Sequence, residues 1–276
     1  MESVLRDAYP YKEVIVVDDA STDHTGEILR RFPVTALRND KAVGPSSARN
    51  IGAKNAKGEI VVFIDAHCIV EDSEWIKKFV QLFSDPQVGA VGGYFKPDSS
   101  RKRLALTLKP ARPDQRLIKS ANAAFRKVMF EQIGGFDLGI EWAGDAALTY
   151  KTQKSGWKII HSNDVKVTHA EKLWSIKRGF TYGTCYFRLL RRYQHETLIR
   201  SRPMIMGLAL TLGLILDVFS RLPVFTLTLL LFLVLLNGVA HDISVPRILT
   251  NGLYNTVWAV SYFLGAIYGL PNIIKR

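Results

Sequence analysis

Hydrophobic positions in the first hundred residues form short solid runs, separated by stretches in which they recur every three or four places. Residues 13–19 (EVIVVDD) and 59–66 (EIVVFIDA) are rich in valine and isoleucine and have the length of buried strands. Residues 34–39 (VTALRN) predict a weaker strand and 88–95 (VGAVGGYF) a further one. Between them, 21–32 (STDHTGEILRRF) predicts a helix capped by Ser21 or Thr22, with Leu29 and Phe32 inward. Residues 46–58 (SSARNIGAKNAKG) predict a helix stopped at Gly58. Residues 73–85 (SEWIKKFVQLFSD) predict an amphipathic one, with Trp75, Phe79, Leu82 and Phe83 on one face. This alternation predicts an α/β fold: an open, mostly parallel, Rossmann-like sheet with helices on both faces. Ligands on such sheets sit beyond the carboxyl ends of strands. Asp18, Asp19, Asp65 and His67 all fall there.

The pattern changes after residue 200. Residues 222–240 (LPVFTLTLLLFLVLLNGVA) are 19 positions without a charge, close to the ~20 residues needed to cross a bilayer. Residues 203–216 form an apolar stretch before them, and 248–274 a third, 27-residue uncharged stretch in which Tyr254, Trp258 and Tyr262 form a stripe. Two to three transmembrane helices are expected. The whole chain of 276 residues carries a formal charge of +12, and eight Lys or Arg crowd into 172–202. A basic belt beside an apolar tail predicts a multi-pass protein of the cell membrane, its N-terminal part on the cytoplasmic side and in contact with membrane lipids. It also accounts for much of the charge without nucleic acid as a partner. Cys68 and Cys185 are the two cysteines. They make no disulfide framework and offer no zinc motif.

The strand-end acids carry the candidate chemistry. A helix N-terminus favours one acid nearby, and Asp23 fits that role, but two adjacent carboxylates ending one buried strand exceed it. Asp65 and His67 alternate, so on an extended backbone they face one side and can hold a divalent ion. The same two residues can also be a turn with a surface histidine. A mixed oxygen and nitrogen pair favours Mn2+ over Mg2+. Asp18-Asp19, Asp65 and a downstream Lys109-Pro110 also resemble a response-regulator receiver, in which Asp65 would be phosphorylated.

The middle of the chain separates these readings. YKEVIVVDDASTDHT, SSARNIGAKNAKGEIVVFIDAHC, SANAAFRKVMFEQIGGFD and GDAALTYKTQKSGWKI occur in that order. Together they resemble glycosyltransferase family 2, nucleotide-sugar transferases of GT-A fold, over roughly residues 4–200. The resemblance implies that Asp18 and Asp19 contact the nucleobase and ribose, with Arg49 near the nucleotide. It implies that Asp65 and His67 hold the metal bridging a diphosphate, with His169 as a third ligand, and that Asp145 is the general base. A helix N-cap is the alternative role for Asp145. The implied partners are a nucleotide-diphosphate-sugar donor and a lipid-linked or envelope glycan acceptor, and the implied reaction is a metal-dependent, inverting transfer.

Three departures qualify the resemblance. The family's Asp-x-Asp is Asp65-Ala66-His67 here, a form similar to the retaining polypeptide N-acetylgalactosaminyltransferases. Gly144 stands where the family has a glutamate before the base. Under this resemblance the chain also lacks the family's first strand, so unpaired backbone and exposed apolar surface are expected in its place. An inactive, truncated membrane scaffold is therefore a rival to the enzyme. No Gln-x-x-Arg-Trp follows Asp145, which disfavours a processive synthase. The expected organisation is a catalytic domain over 1–171, a basic juxtamembrane helical segment over 172–202 and a membrane anchor over 203–276.

Overall fold

The computed structural model describes residues 1–97, 117–140 and 144–169, together with residues 181, 184, 185, 188, 189, 192 and 193, which are helical. The chain divides into two compact units, Met1–Glu171 and Lys172–Arg276. Among the described residues no helix is long and apolar enough to cross a membrane. The spans expected within 203–276 lie outside the described residues.

The first unit begins with a short helix, α1 (Glu2–Leu5). The valine-rich run forms β1 (Ile15–Asp18), paired in parallel with β2 (Thr35–Arg38) from Ile15↔Thr35 to Asp18↔Arg38. Between them α2 (Thr25–Leu29) is shorter than its pattern predicts. Ser21 and Thr22 do not cap it. The Ser21 N–H is engaged by the Asp18 carboxylate, and Asp23 accepts from the Thr25 N–H in the turn before the helix. Helix α3 (Pro45–Asn55) ends at Ala56, before the expected glycine stop, because the N–H groups of Lys57 and Gly58 turn to the Glu13 carboxylate.

The expected mostly parallel sheet is corrected to a mixed one. Strands β3 (Ile60–Ile64), β4 (Cys68–Ile69), β5 (Val88–Pro97), β6 (Asn122–Arg126) and β7 (Lys158–His169) make a five-stranded sheet in the order β3-β6-β5-β7-β4. Strand β6 is antiparallel to both β3 and β5, β7 is parallel to β5, and β4 is antiparallel to β7. The β-α-β rhythm holds before β6 except between β3 and β4, which a turn joins, but strand direction depends on where the chain re-enters the sheet. The β1–β2 pair forms a separate sheet. Helix α3 packs against both: Val17 of β1 lies under Gly52, while Ala53 joins the core with Val61 and Phe63 of β3.

Helices on both faces are observed. Val61 and Phe63 point to the layer made by α3, α5 (Lys127–Gln132) and α6 (Gly144–Lys154). Their neighbours Ile60, Val62 and Ile64 point to the layer of α4 (Trp75–Leu82), following the two-residue period of a strand. Trp75, Phe79 and Phe83 are buried on that side, as the amphipathic pattern predicts. On the α3 side Phe63, Phe125, Phe130 and Phe136 form an aromatic cluster with ring centroids 5.4–5.8 Å apart.

Candidate functional site

The acids that end β1 are tied into their surroundings. Asp18 is 4% exposed; it accepts from the Ser21 N–H at 2.9 Å and is paired with Arg38 of β2. The bonds from Ser21, with Arg38 adding, hold its carboxyl below the usual carboxylate range against the opposing effect of burial. Asp19 accepts from Asn39 Nδ2 at 2.8 Å and from the N–H groups of Val43 and Gly44 at 2.9 Å each. Burial pushes Asp19 up, but the Val43, Asn39 and Gly44 bonds outweigh it and hold the group low. Both acids are thus ionised anchors that shape the loop between β2 and α3. Three of the four acceptor positions of the Asp19 carboxylate, two on Oδ1 and one on Oδ2, are used by the chain itself.

Asp65 and His67 do not share an extended strand. The Cys68 N–H donates to the Asp65 carbonyl at 2.9 Å, closing a tight turn between β3 and β4. That turn still brings Asp65 Oδ2 within 3.9 Å of His67 Nε2. His169 ends β7, and the β4–β7 pairing sets it opposite Cys68. As a result His67 Nε2 and His169 Nε2 lie 2.9 Å apart, with their rings at 71°. Asp65, His67 and His169 each offer one ligand atom, all within 4.8 Å of one another. Bonds of ~2.1 Å to a common ion put neighbouring ligand atoms ~3 Å apart, so one carboxylate oxygen and two imidazole nitrogens fit a divalent cation. Burial, reinforced by the charges of His67 and Lys119, pushes His169 down to about 4, which leaves it neutral with a lone pair to offer near pH 7. Cys68 is no competing ligand: burial and then the Asp65 charge push its thiol up to about 12.

Arg49 of α3 pairs with Asp65 Oδ1 at 2.6 Å, and its guanidinium lies 5.5 Å from the centre of the Phe136 ring. Asp145 sits in the first turn of α6, not just ahead of it as its pattern predicts. Its Oδ1 accepts from the Ser120 N–H at 3.1 Å. The residue keeps some exposed surface, yet its carboxyl is densely surrounded, and that burial raises it above the usual carboxylate range. Ser120 and the Arg49 charge oppose the rise, and the Asp65 charge adds to it. Arg49, Asp65, His67, His169 and Asp145 are therefore one electrostatic group. Asp18 and Asp19 connect to it through the loop that enters α3.

Sequence reasoning assigned no role to several residues that hold this group in place. Asn50, next to Arg49, clamps the Phe136 backbone from both sides, giving Nδ2 to its carbonyl and accepting its N–H at Oδ1, each at 2.8 Å. Gly135 lies beside this clamp at φ 59°, where a Cβ would stand 2.6 Å from Asn50 Oδ1. Lys151 of α6 ties to Asp137 at 3.0 Å and to the Gly135 carbonyl. Asn122 is completely buried: it accepts from Trp75 Nε1 at 3.1 Å and donates to the carbonyls of Tyr94 and Val165 at 3.0 and 3.1 Å. The signal available was an asparagine opening an otherwise apolar segment, since a polar residue in a core strand needs partners. Lys109, which the receiver reading requires near Asp65, lies outside the described residues. The mixed sheet departs from the doubly wound pattern of that class.

The profile of the family described as Glycosyl transferase family 2 matches residues 1–137. The chain is similar to Glycosyltransferase AglE of Haloferax volcanii, at 26% identity over 201 residues that cover 66% of each chain. It is also similar to the O-antigen chain rhamnosyltransferase WbaN of Salmonella anatum, at 26% identity over 181 residues covering 57% of this chain and 56% of that one. The chain thus spans under two thirds of the length of these curated relatives. Among solved structures it is similar to a mannosyltransferase, PcManGT from Pyrobaculum calidifontis, solved in complex with GDP-Man and Mn2+. The TM-score is 0.63 and the identity 22%, with 98% of this chain and 82% of that one covered, a likeness of fold. Residues 1–137 are matched as a glycosyl transferase family 2 domain, and the first unit has a GT-A-like α/β fold with a mixed sheet.

Proposed function

We propose that this protein moves one sugar, with inversion, from a nucleoside-diphosphate-sugar to a lipid-linked or cell-envelope glycan acceptor at the membrane. The observation that carries the reading is the electrostatic union of a raised carboxyl, Asp145, with the Asp65–His67–His169 cluster and Arg49. Asp145 takes the proton of the acceptor hydroxyl as that oxygen bonds to the anomeric carbon. A carboxyl raised by burial is a stronger base for this than an ordinary one. The bond from that carbon to the diphosphate oxygen breaks, and its electron pair leaves with the diphosphate. A single carboxylate opposite the leaving group gives inversion. Ser120 fixes the direction of the Asp145 carboxyl through its N–H. Arg49 orients Asp65 and adds positive charge on the donor side. Asp18, through Arg38, and Asp19, through Asn39, Val43 and Gly44, shape the nucleotide end. Asp65, His67 and His169 would hold a divalent ion, which neutralises diphosphate charge when bound, and the oxygen and nitrogen donor set favours Mn2+ over Mg2+.

The acceptor class and the membrane site rest on the basic belt and uncharged stretches after residue 172, and on the envelope polymer named for the Salmonella relative. The test is release of nucleoside diphosphate from a panel of nucleotide sugars, with Mn2+ and membrane extract, comparing the wild type with Asp145→Asn. The expected result is turnover of one donor and a loss of about 10²–10⁴-fold in the variant. An unchanged rate in Asp145→Asn rejects the base. A wild type that binds Mn2+ and nucleotide but turns over no donor favours the inactive scaffold. Proton NMR of the product's anomeric centre tests inversion, and a reporter fused after residue 202 tests cytoplasmic placement.

A further inference from the structure

We propose that Lys119 is the protein's cation for the terminal phosphate of the departing nucleoside diphosphate, an assignment that rests on the glycosyltransferase reading above. The residues on either side of Lys119 are buried and pinned to α6. The Ile118 N–H donates to Thr149 Oγ1 at 3.0 Å, and the Ser120 N–H donates to Asp145 at 3.1 Å. Ile118 and Ser120 are each 2% exposed. A turn follows directly, closed by the Asn122 N–H on the Lys119 carbonyl at 3.1 Å, so the backbone on both sides of residue 119 is fixed. Lys119 Nζ lies 5.6 Å from the centre of the Phe95 ring. Phe95 in turn stands at 90° to His169, with centroids 5.5 Å apart. The ammonium is thus steered by an aromatic face to the imidazole side of the cluster, where its charge reaches His169.

That position suits a leaving diphosphate. Arg49 already has its charge matched by Asp65 at 2.6 Å. Lys119 brings further positive charge to the His169 part of the same cluster. When the bond between anomeric carbon and diphosphate oxygen breaks, the electron pair stays on that oxygen and the phosphate gains negative charge. A lysine ammonium is a compact point charge with rotatable donors, so it can follow that oxygen without a fixed fork geometry. Because the charge develops as the bond breaks, the contact strengthens along the reaction and persists in the product complex.

The experiment is calorimetric titration of UDP, GDP, UMP and GMP in the presence of Mn2+ into wild type, Lys119→Ala and Lys119→Arg. The expected result is that the alanine variant loses about tenfold or more in affinity for the diphosphate the wild type prefers. Binding of the matching monophosphate stays unchanged, and the arginine variant recovers most of the loss. Equal diphosphate affinity in wild type and Lys119→Ala overturns the assignment and leaves the glycosyltransferase reading standing. A parallel loss for mono- and diphosphate, with a lowered melting temperature and no recovery in Lys119→Arg, makes Lys119 a structural residue and also overturns it. A wild type that binds neither diphosphate removes the glycosyltransferase reading and this assignment together.

Discussion

Asn122→Ala tests whether one buried amide ties helix α4 to the central strands of the sheet. Asn122 opens β6 at 0% exposure and reaches three elements at once: Trp75 of α4, Tyr94 of β5 and Val165 of β7. Gly93 makes the arrangement possible, because a Cβ there would stand 2.3 Å from Asn122 Nδ2. Truncation leaves the Trp75 indole N–H buried without an acceptor, at a cost of about 1–3 kcal/mol. The two carbonyls lose a donor each, but a carbonyl has a second lone pair, so about 0.5–1 kcal/mol apiece is the fitting scale. With the small cavity included, the expected loss is about 3–5 kcal/mol, a large share of the ~5–15 kcal/mol that holds a typical domain together. Urea unfolding followed by tryptophan fluorescence measures it, and the melting temperature should fall by roughly 10 °C for a domain of this size. Trp75→Phe removes the N–H together with part of the ring, and the packing loss is common to both backgrounds. In the Asn122→Ala background it should therefore cost about 1 kcal/mol less than in the wild type. A loss under about 1 kcal/mol for Asn122→Ala, or strict additivity in the double mutant, refutes the network.

Three further outcomes follow from the geometry. Ala20 holds φ 60°, a left-handed conformation that strains an L-residue, with its N–H on the Asp18 carbonyl. Ala20→Gly should stabilise the domain by about 0.5–1 kcal/mol once the greater freedom of unfolded glycine is subtracted, and a lower melting temperature would contradict this. Burial raises Asp145, so the folded state binds its proton more tightly than the unfolded chain does. Stability contributed by the neutral group is present below the ordinary carboxylate pKa and is lost as pH rises through the raised one. Unfolding midpoints against pH should show that decline in the wild type and lack it in Asp145→Asn, while the wild-type rate falls on the acid side as the base protonates. His169→Ala should weaken Mn2+ binding by about 10-fold or more and raise the metal concentration at half activity, as read by electron paramagnetic resonance of free Mn2+; unaltered affinity would remove His169 from the ligand set.

Much of the first hundred residues was legible because burial and local pattern coincide there. The runs ending at Asp18 and Asp65, and the Trp75–Phe79–Phe83 face, carry their fold in their own spacing. The antiparallel direction of β6 was not legible. Residues 123–125 are as apolar as a parallel strand, and strand direction in a sheet is a property of chain return, not of side chains. The Asp65–His67 geometry was legible in outcome but not in cause. Alternation predicted two groups on one side of a strand, whereas a turn closed by the Cys68 N–H brings them together. His169 reaches them through the two-residue β4–β7 pairing, a contact across a hundred positions that no window of sequence contains. Asp145 was legible as a helix-start acid, but its raised carboxyl arises from burial, with the Asp65 charge adding to it and Ser120 and Arg49 opposing, and these partners are all distant in the chain.

Helix α3 explains why so dispersed a site can still be rigid. Its first residues are reached by Asp19 through the Gly44 N–H, its Arg49 holds Asp65, its Asn50 holds the Phe136 backbone, and Gly52 and Ala53 seat it on β1 and β3. Arg49 and Asn50 are adjacent, so they leave the helix about 100° apart and serve Asp65 and the Phe136 backbone separately. Phe136 closes the circuit: its backbone is clamped by Asn50, its ring joins the aromatic core with Phe63 and Phe130, and the face of that ring lies near the Arg49 guanidinium. Displacing any one of these contacts shifts Arg49, Asp65 and the entry to α6 together. The Asp145 carboxylate on α6 and the Asp65–His67–His169 cluster at the strand ends can then keep their spacing, because both are referred to one eleven-residue helix packed on the core.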